Sequence, residues 1–207
     1  MRSASRKILA ALVCVALAAF VVACGGEDAS PANTPGPSGS GSVSGSATAK
    51  PSGGPTANPE EQTYFQQLAV IFSGGQARSN AASSQLDTDL SAAKSLDDQK
   101  AAIDTFLDTM IAVFQDAADG MDSLDAPADA KDNHTRFRDD VSQAKTISAG
   151  LKNDIAGAET SDEATTIIDD FNTRVNALVS DSQAACTALQ GIATGDNVDV
   201  DLGCTNG

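Results

Sequence analysis

The sequence predicts an all-α fold: an up-down-up-down four-helix bundle with a disulfide-tethered C-terminal tail, preceded by a disordered linker. Between residues 65 and 192, apolar residues recur at steps of four and three, which places them on one face of a helix. Four such segments are separated by short polar turns, and a short connection reverses the direction of the chain. All seven prolines precede these segments or lie at their starts, so none interrupts a helix.

The composition indicates one acidic domain of moderate size. The 207 residues include 13 Lys plus Arg and 28 Asp plus Glu, a formal net charge of −15. Such a surface repels nucleic acid and anionic lipid head groups, so we expect no nucleic-acid partner. It could attract cations or basic partners, but an acidic face that keeps a secreted bundle soluble is the simpler interpretation.

Residues 1–23 have the pattern of a signal peptide. Arg2, Arg6 and Lys7 precede fifteen apolar residues from Ile8 to Val22, a run too short for a membrane span and typical of a signal-peptide core. Removing these three bases leaves 10 against 28 acids, a net charge of −18 for the mature chain.

The segment Val21-Val22-Ala23-Cys24 closes this pattern and resembles the lipobox of bacterial lipoproteins. The resemblance implies that signal peptidase II cleaves before Cys24 and that this cysteine carries a diacylglyceryl group. The protein would then be lipid-anchored at the cell membrane, on the extracytoplasmic face. The alternative is an ordinary secretory signal with a chance cysteine.

Residues 24–58 are predicted to form the lipidated cysteine and a disordered tether. Seventeen of the 27 residues from 31 to 57 are Gly, Ser or Pro, which leaves almost nothing to bury. A flexible chain of this length has a typical span of ~30 Å and a contour limit of ~110 Å, so it would hold the domain away from the membrane without fixing its orientation.

The bundle domain is predicted over residues 59–207. Asn58 and Pro59 favour a helix start, and the first helix should run to about Ala93 with a kink or a close helix contact at Gly74-Gly75. Its stripe consists of Phe65, Leu68, Phe72, Gly75, Ser79, Ala82, Leu86, Leu90 and Ala93.

The second helix is capped by Ser95-Leu96-Asp97-Asp98, and Asp125-Ala126-Pro127 should end it and start the third, with proline in the first turn. Thr160 to Glu163 reads as a capping box for the fourth helix. The second stripe is Ile103, Leu107, Met110, Phe114, Ala117, Met121 and Leu124. The third is Ala130, His134, Phe137, Val141, Ala144, Ser148, Leu151, Ile155 and Ala158. The fourth is Ala164, Ile168, Phe171, Val175, Leu178, Ser182, Ala185, Leu189 and Ile192.

Cysteine counting predicts one disulfide. Cys14 leaves with the signal peptide and Cys24 is the lipid site, so Cys186 and Cys204 remain and should pair in an oxidising compartment. This bond would fold the tail back along the fourth helix. No C-x-x-C motif supports a redox or metal interpretation.

His134 is the only histidine and occupies the third stripe, in one layer with Phe72, Ala117 and Ala185 and next to Cys186. One hypothesis is a haem or metal ligand in the bundle core. The other, which we favour, is a neutral core histidine with a lowered pKa, because one imidazole cannot make a metal site.

The tail from Asp196 to Asp201 could hold calcium, since Asn197, Asp199 and Asp201 alternate along it. It departs from the EF-hand pattern, because Leu202 stands where glycine is required. We favour an acidic turn with Val198, Val200 or Leu202 packed on the bundle. The sequence therefore predicts no metal and no cofactor.

No catalytic motif is present, and we expect that the protein is not an enzyme. The segment from Leu124 to Phe137 is similar to segments of helical lipoproteins of the bacterial envelope, a likeness that implies no activity. Two functions remain. The first is a monomeric interaction or scaffolding module of the cell envelope that binds a protein partner. The alternative is an extracytoplasmic small-ligand or metal/haem-binding sensor with its pocket at the His134 layer.

Overall fold

The computed structural model describes residues 58–204, and within them the chain forms four helices and no strand. They are α1 (Pro59–Ala92), α2 (Leu96–Asp122), α3 (Lys131–Gly157) and α4 (Ser161–Gly195). The predicted four-helix bundle is confirmed. The predicted signal peptide, lipid site and linker lie outside the described residues.

Antiparallel packing of neighbouring helices builds the bundle. Each helix packs along the next one in the chain, whereas α1 and α4 make few contacts. Lys152 on α3 pairs with Asp104 and Asp108 near the start of α2, and Arg138 near the start of α3 pairs with Asp122 at the end of α2. Residue numbers therefore increase along α2 in the direction in which they decrease along α3, so these two helices are antiparallel. No helix of the described part is long and apolar enough to cross a membrane.

The predicted stripes form the core. Every residue of the α3 stripe is buried, and the largest fully buried side chains of the bundle include Phe65, Leu107, Met110, Met121 and Ile168. The buried face is wider than the stripes, because α2 and α3 also bury residues beside them: Ala102, Phe106, Val113, Ala118 and Ile147.

Three helix starts use side-chain caps, as predicted. The Asn58 side chain accepts from the Glu60 backbone N–H at 3.1 Å. Ser95 and Asp98 form a reciprocal capping box. The Asp98 carboxylate also accepts from the Lys94 N–H, and the hydrogen bonds from Lys94 and Ser95 lower the pKa of Asp98. Thr160 caps α4 by accepting from Glu163, but the Glu163 carboxylate accepts from Glu159 N–H, one residue earlier than the box predicts.

One local prediction is wrong, and a second is met at a different residue. Pro127 does not lie in the first turn of α3, because its carbonyl accepts from Ala130 N–H at 3.0 Å in a tight turn and α-helical hydrogen bonding starts only at Ala130. The helix α1 continues through Gly74-Gly75, where a Cβ on Gly74 would meet nothing within 4 Å and one on Gly75 would make an ordinary 3.6 Å contact with Val113 Cγ1, so neither glycine is the site of a close helix contact. The close approach of α1 and α2 occurs at Gly120, where a Cβ would lie 3.0 Å from Ile71 Cδ1.

Candidate binding cleft between the first and last helices

The C-terminal tail folds back onto α4, as predicted. Cys186 and Cys204 form a disulfide with Cα atoms 5.5 Å apart. Val198 and Leu202 are buried, and Val200 packs against the core. This confirms the predicted apolar tail, which returns along α4 and ends beside Cys186.

Gln190 on α4 holds the tail through its side-chain amide. Its Nε2 donates to the Val200 carbonyl at 2.9 Å, and its Oε1 accepts from the Leu202 N–H at 2.7 Å. Asn197 and Gly203 adopt left-handed backbone angles, with φ of 57° and 68°, and the chain leaves the end of α4 at Asn197, where the Val198 N–H donates back to the Ala193 carbonyl. One amide and one disulfide therefore fix the tail's path.

A lateral cleft lies where α1 and α4 fail to close against each other. It has a cavity volume of about 110 Å³ and receives side chains from all four helices and the tail. The lining residues are Ile71, Phe72, Gly75, Gln76, Val113, Phe114, Ala117, Phe137, Val141, Val179, Ser182, Gln183, Cys186, Leu202, Gly203 and Cys204. The tail and its disulfide form one wall, so the cleft is a feature of the oxidised, folded-back chain.

The walls of the cleft are aromatic and aliphatic. Phe72 on α1 and Phe137 on α3 stack with ring centroids 4.7 Å apart, and Phe114 on α2 completes the aromatic lining. A Cβ on Gly75 would make an ordinary 3.6 Å contact with Val113 Cγ1, so the missing side chain at Gly75 leaves open the space beside Val113. The cleft is shaped for apolar material.

Asp140 on α3 directly precedes the lining residue Val141. Burial raises the pKa of the Asp140 carboxyl. No Asp, Glu, Lys or Arg is among the residues that line the cleft. The cleft therefore offers packing surface without a counter-charge.

His134 lies in the core, outside the cleft lining. Its Nδ1 shares a hydrogen bond with the Tyr64 hydroxyl of α1 at 2.9 Å, and its ring also hydrogen-bonds the Met121 backbone. Burial lowers the pKa of His134, helped by the Arg138 charge and opposed by Asp122 and the Met121 bond. Burial and Asp129 raise the pKa of the Tyr64 hydroxyl. The favoured hypothesis, a core histidine with a lowered pKa, agrees with this geometry.

The residues considered as metal ligands do not come together. Among residues 58–204, no group of three or more His, Cys, Asp or Glu side chains is placed to hold a metal ion. Asp201 instead accepts from the Gly203 backbone N–H at 2.8 Å, within the tail itself. Of the layer predicted around His134, Phe72 and Ala117 line the cleft, as does the neighbouring Cys186.

The fold and the cleft define a disulfide-braced four-helix bundle with a lateral apolar opening. No family model, curated protein or solved structure matches this chain.

Proposed function

We propose that this protein is a lipid-anchored, non-catalytic binding module on the extracytoplasmic face of the cell membrane. The lipobox-like Val21-Val22-Ala23-Cys24 and the Gly/Ser/Pro-rich segment after it support the anchor. The Cys186–Cys204 disulfide supports the compartment, because such bonds persist in oxidising surroundings and are rare in the cytosol.

The cleft is the observation that carries the binding function. It is concave, apolar and built from four helices and the tail, as small-molecule sites commonly are. The outer surface gives a protein partner less to bind, since Val70 is the exposed large hydrophobic side chain of the described part, at 70%. The cleft therefore favours the small-ligand function, and the interaction or scaffolding module is the second candidate.

The anchor is tested by Cys24→Ser, with Cys14→Ser as the matched control. Both remove one thiol from the N-terminal segment, but only Cys24 occupies the lipobox position. We expect Cys24→Ser to leave the membrane fraction or to accumulate as an uncleaved precursor without incorporated fatty acid. Cys14→Ser should be processed and lipidated normally. A Cys24→Ser protein that stays in membranes at its mature size would contradict the anchor.

The ligand class is tested first by elemental analysis and an absorption spectrum of the purified protein. A module that binds through the apolar cleft should be colourless and metal-free. Its ligand binding should survive His134→Gln, since His134 does not line the cleft. Loss of a co-purifying metal or haem in His134→Gln would instead support the metal/haem sensor.

A further inference from the structure

The size of the cleft restricts what it holds. At about 110 Å³ it is of the same order as the ~150 Å³ apolar cavity that accepts one benzene molecule in an engineered protein core. Pockets for whole drug-sized ligands measure roughly 300–1,000 Å³, so a haem or a nucleotide is too large for this one. One six-membered ring, alone or as part of a longer molecule that extends out of the opening, matches the volume of the cleft.

The charge of the cleft and of the chain restricts the ligand further. Because no ionised side chain lines the cleft, a charged group entering it would lose its hydration without a counter-charge. The formal net charge of −15 adds a general repulsion of anions. The favoured occupant is therefore neutral.

The aromatic walls select among neutral groups. Phe72, Phe114 and Phe137 reach the cleft from three different helices. Offset and edge-to-face contacts with such rings favour an aromatic guest over a saturated one of the same size. Leu202 and Cys204 supply the wall on the tail side, so the disulfide positions part of the surface that the guest contacts.

We propose that this cleft binds a neutral aromatic compound, or the neutral aromatic ring of a larger one, through a single six-membered ring. The inference rests on the proposed small-ligand function and names its ligand class. It places the ring against the wall formed by Phe72, Phe114 and Phe137, beside the space that Gly75 leaves open.

Adjacent glycines provide a matched pair of variants. A leucine at Gly75 would fill the cleft, whereas a leucine at Gly74 would point into open space. Both replace a helical glycine by a better helix former, so both should keep the bundle folded. Toluene is the probe, titrated into the full purified chain while the ¹³C-methyl NMR signals of valine are recorded.

We expect toluene to shift the Val113, Val141 and Val179 signals saturably and to leave Val175, a core residue outside the lining, almost unmoved. Gly75→Leu should weaken binding at least tenfold, and Gly74→Leu should bind like the wild type. Gly75→Ala, whose methyl group makes only an ordinary contact, should bind a few-fold more weakly and covers the case in which leucine disturbs folding. Unchanged binding by a folded Gly75→Leu chain would overturn the assignment.

Two further probes distinguish an error in the ligand class from an error in the proposed small-ligand function. Methylcyclohexane should bind more weakly than toluene, and benzoate should not bind. If methylcyclohexane binds as tightly as toluene, or if benzoate binds, the neutral aromatic class is wrong while small-ligand binding stands. If no probe shifts the cleft valines, both are wrong, and the anchor test on Cys24 is unaffected.

Discussion

The seam between α2 and α3 and the seam between α1 and α4 are closed in different ways. Across the first, Lys152 reaches Asp104 and Asp108, Lys145 Nζ donates to Gln115 Oε1 at 2.6 Å, and Lys100 Nζ donates to the Ala158 carbonyl at 2.9 Å. Across the second, α1 and α4 make few contacts, and the tail and the Cys186–Cys204 bond occupy the side of the bundle left open.

This difference shows how a bundle with regular stripes can still contain a cleft. The α2–α3 seam has an opening of its own, of about 240 Å³, but Lys100, Asp104 and Lys152 line it, so it offers charged groups where the α1–α4 cleft offers aromatic rings. A seam closed by a covalently held tail keeps its space, because the tail covers the opening without filling it. Binding surface and disulfide therefore belong to the same side of the molecule.

Breaking the disulfide should have the largest effect. Cys204→Ser removes a link between residues 18 positions apart, and we expect the free energy of unfolding to fall by up to about 3 kcal/mol in urea denaturation followed by circular dichroism. The helices should remain, and amide exchange should accelerate at the tail and the α1–α4 seam. Reductant should lower the free energy of unfolding of the wild type to that of Cys204→Ser and should leave the value for Cys204→Ser unchanged. Equal acceleration of exchange along α2 and α3 would contradict the two-seam description.

Two valines one turn apart on α4 test whether the cleft is packed less tightly than the core. Val175 is 1% exposed in the core, whereas Val179 is only partly buried and lines the cleft. We expect Val175→Ala to lower the free energy of unfolding by about 2 kcal/mol, from lost burial and a new void, and Val179→Ala by less than about 1 kcal/mol. The order of the two values is the test, and equal losses would mean that the cleft is as tightly packed as the core.

The smallest effect concerns pH and His134. Burial lowers the pKa of His134 in the folded chain, so between that pKa and ~6.5 the unfolded chain binds more protons. Stability should therefore fall as pH drops from about 7 through 6.5 and below, down to the folded pKa. His134→Gln should flatten this part of the profile, measured as the free energy of unfolding at each pH.

Tyr64→Phe is the matched control for this profile. It removes the hydroxyl that hydrogen-bonds with His134 but keeps the imidazole, so the chain should be less stable at every pH and still lose stability on acidification. An unchanged profile in His134→Gln would show that other groups cause the pH dependence.

The sequence predicted the parts of the fold that depend on local pattern. The stripes, the caps at Asn58 and Ser95, and the Cys186–Cys204 bond could be found because each depends on residue spacing or on counting thiols. The start of α3 could not be predicted. A proline in a turn closed by the hydrogen bond from Ala130 N–H to the Pro127 carbonyl has the same sequence pattern as a proline that begins a helix.

Neither the cleft nor the Tyr64–His134 hydrogen bond could be predicted from the spacing of apolar residues along the helices. Tyr64 lies beside the first stripe and meets His134 from a position 70 residues away, and spacing along one helix does not say which residue of another it faces. For the same reason, the pair Gly74-Gly75 predicted a kink or a close helix contact, whereas the close approach of α1 and α2 lies at Gly120. A four-three repeat is the same whether or not a cleft lies beside it, so the space beside Val113 has no sequence signal.

The chain contains no tryptophan, and Tyr64 is its single tyrosine, so its tyrosine fluorescence reports on one phenol. That phenol is buried at the contact of α1 with α3 and hydrogen-bonded to His134. Tyrosine fluorescence therefore follows this one contact, without any engineered label. Since the pKa of Tyr64 is raised in the folded chain, the phenolate band should appear in an alkaline titration only as the bundle opens.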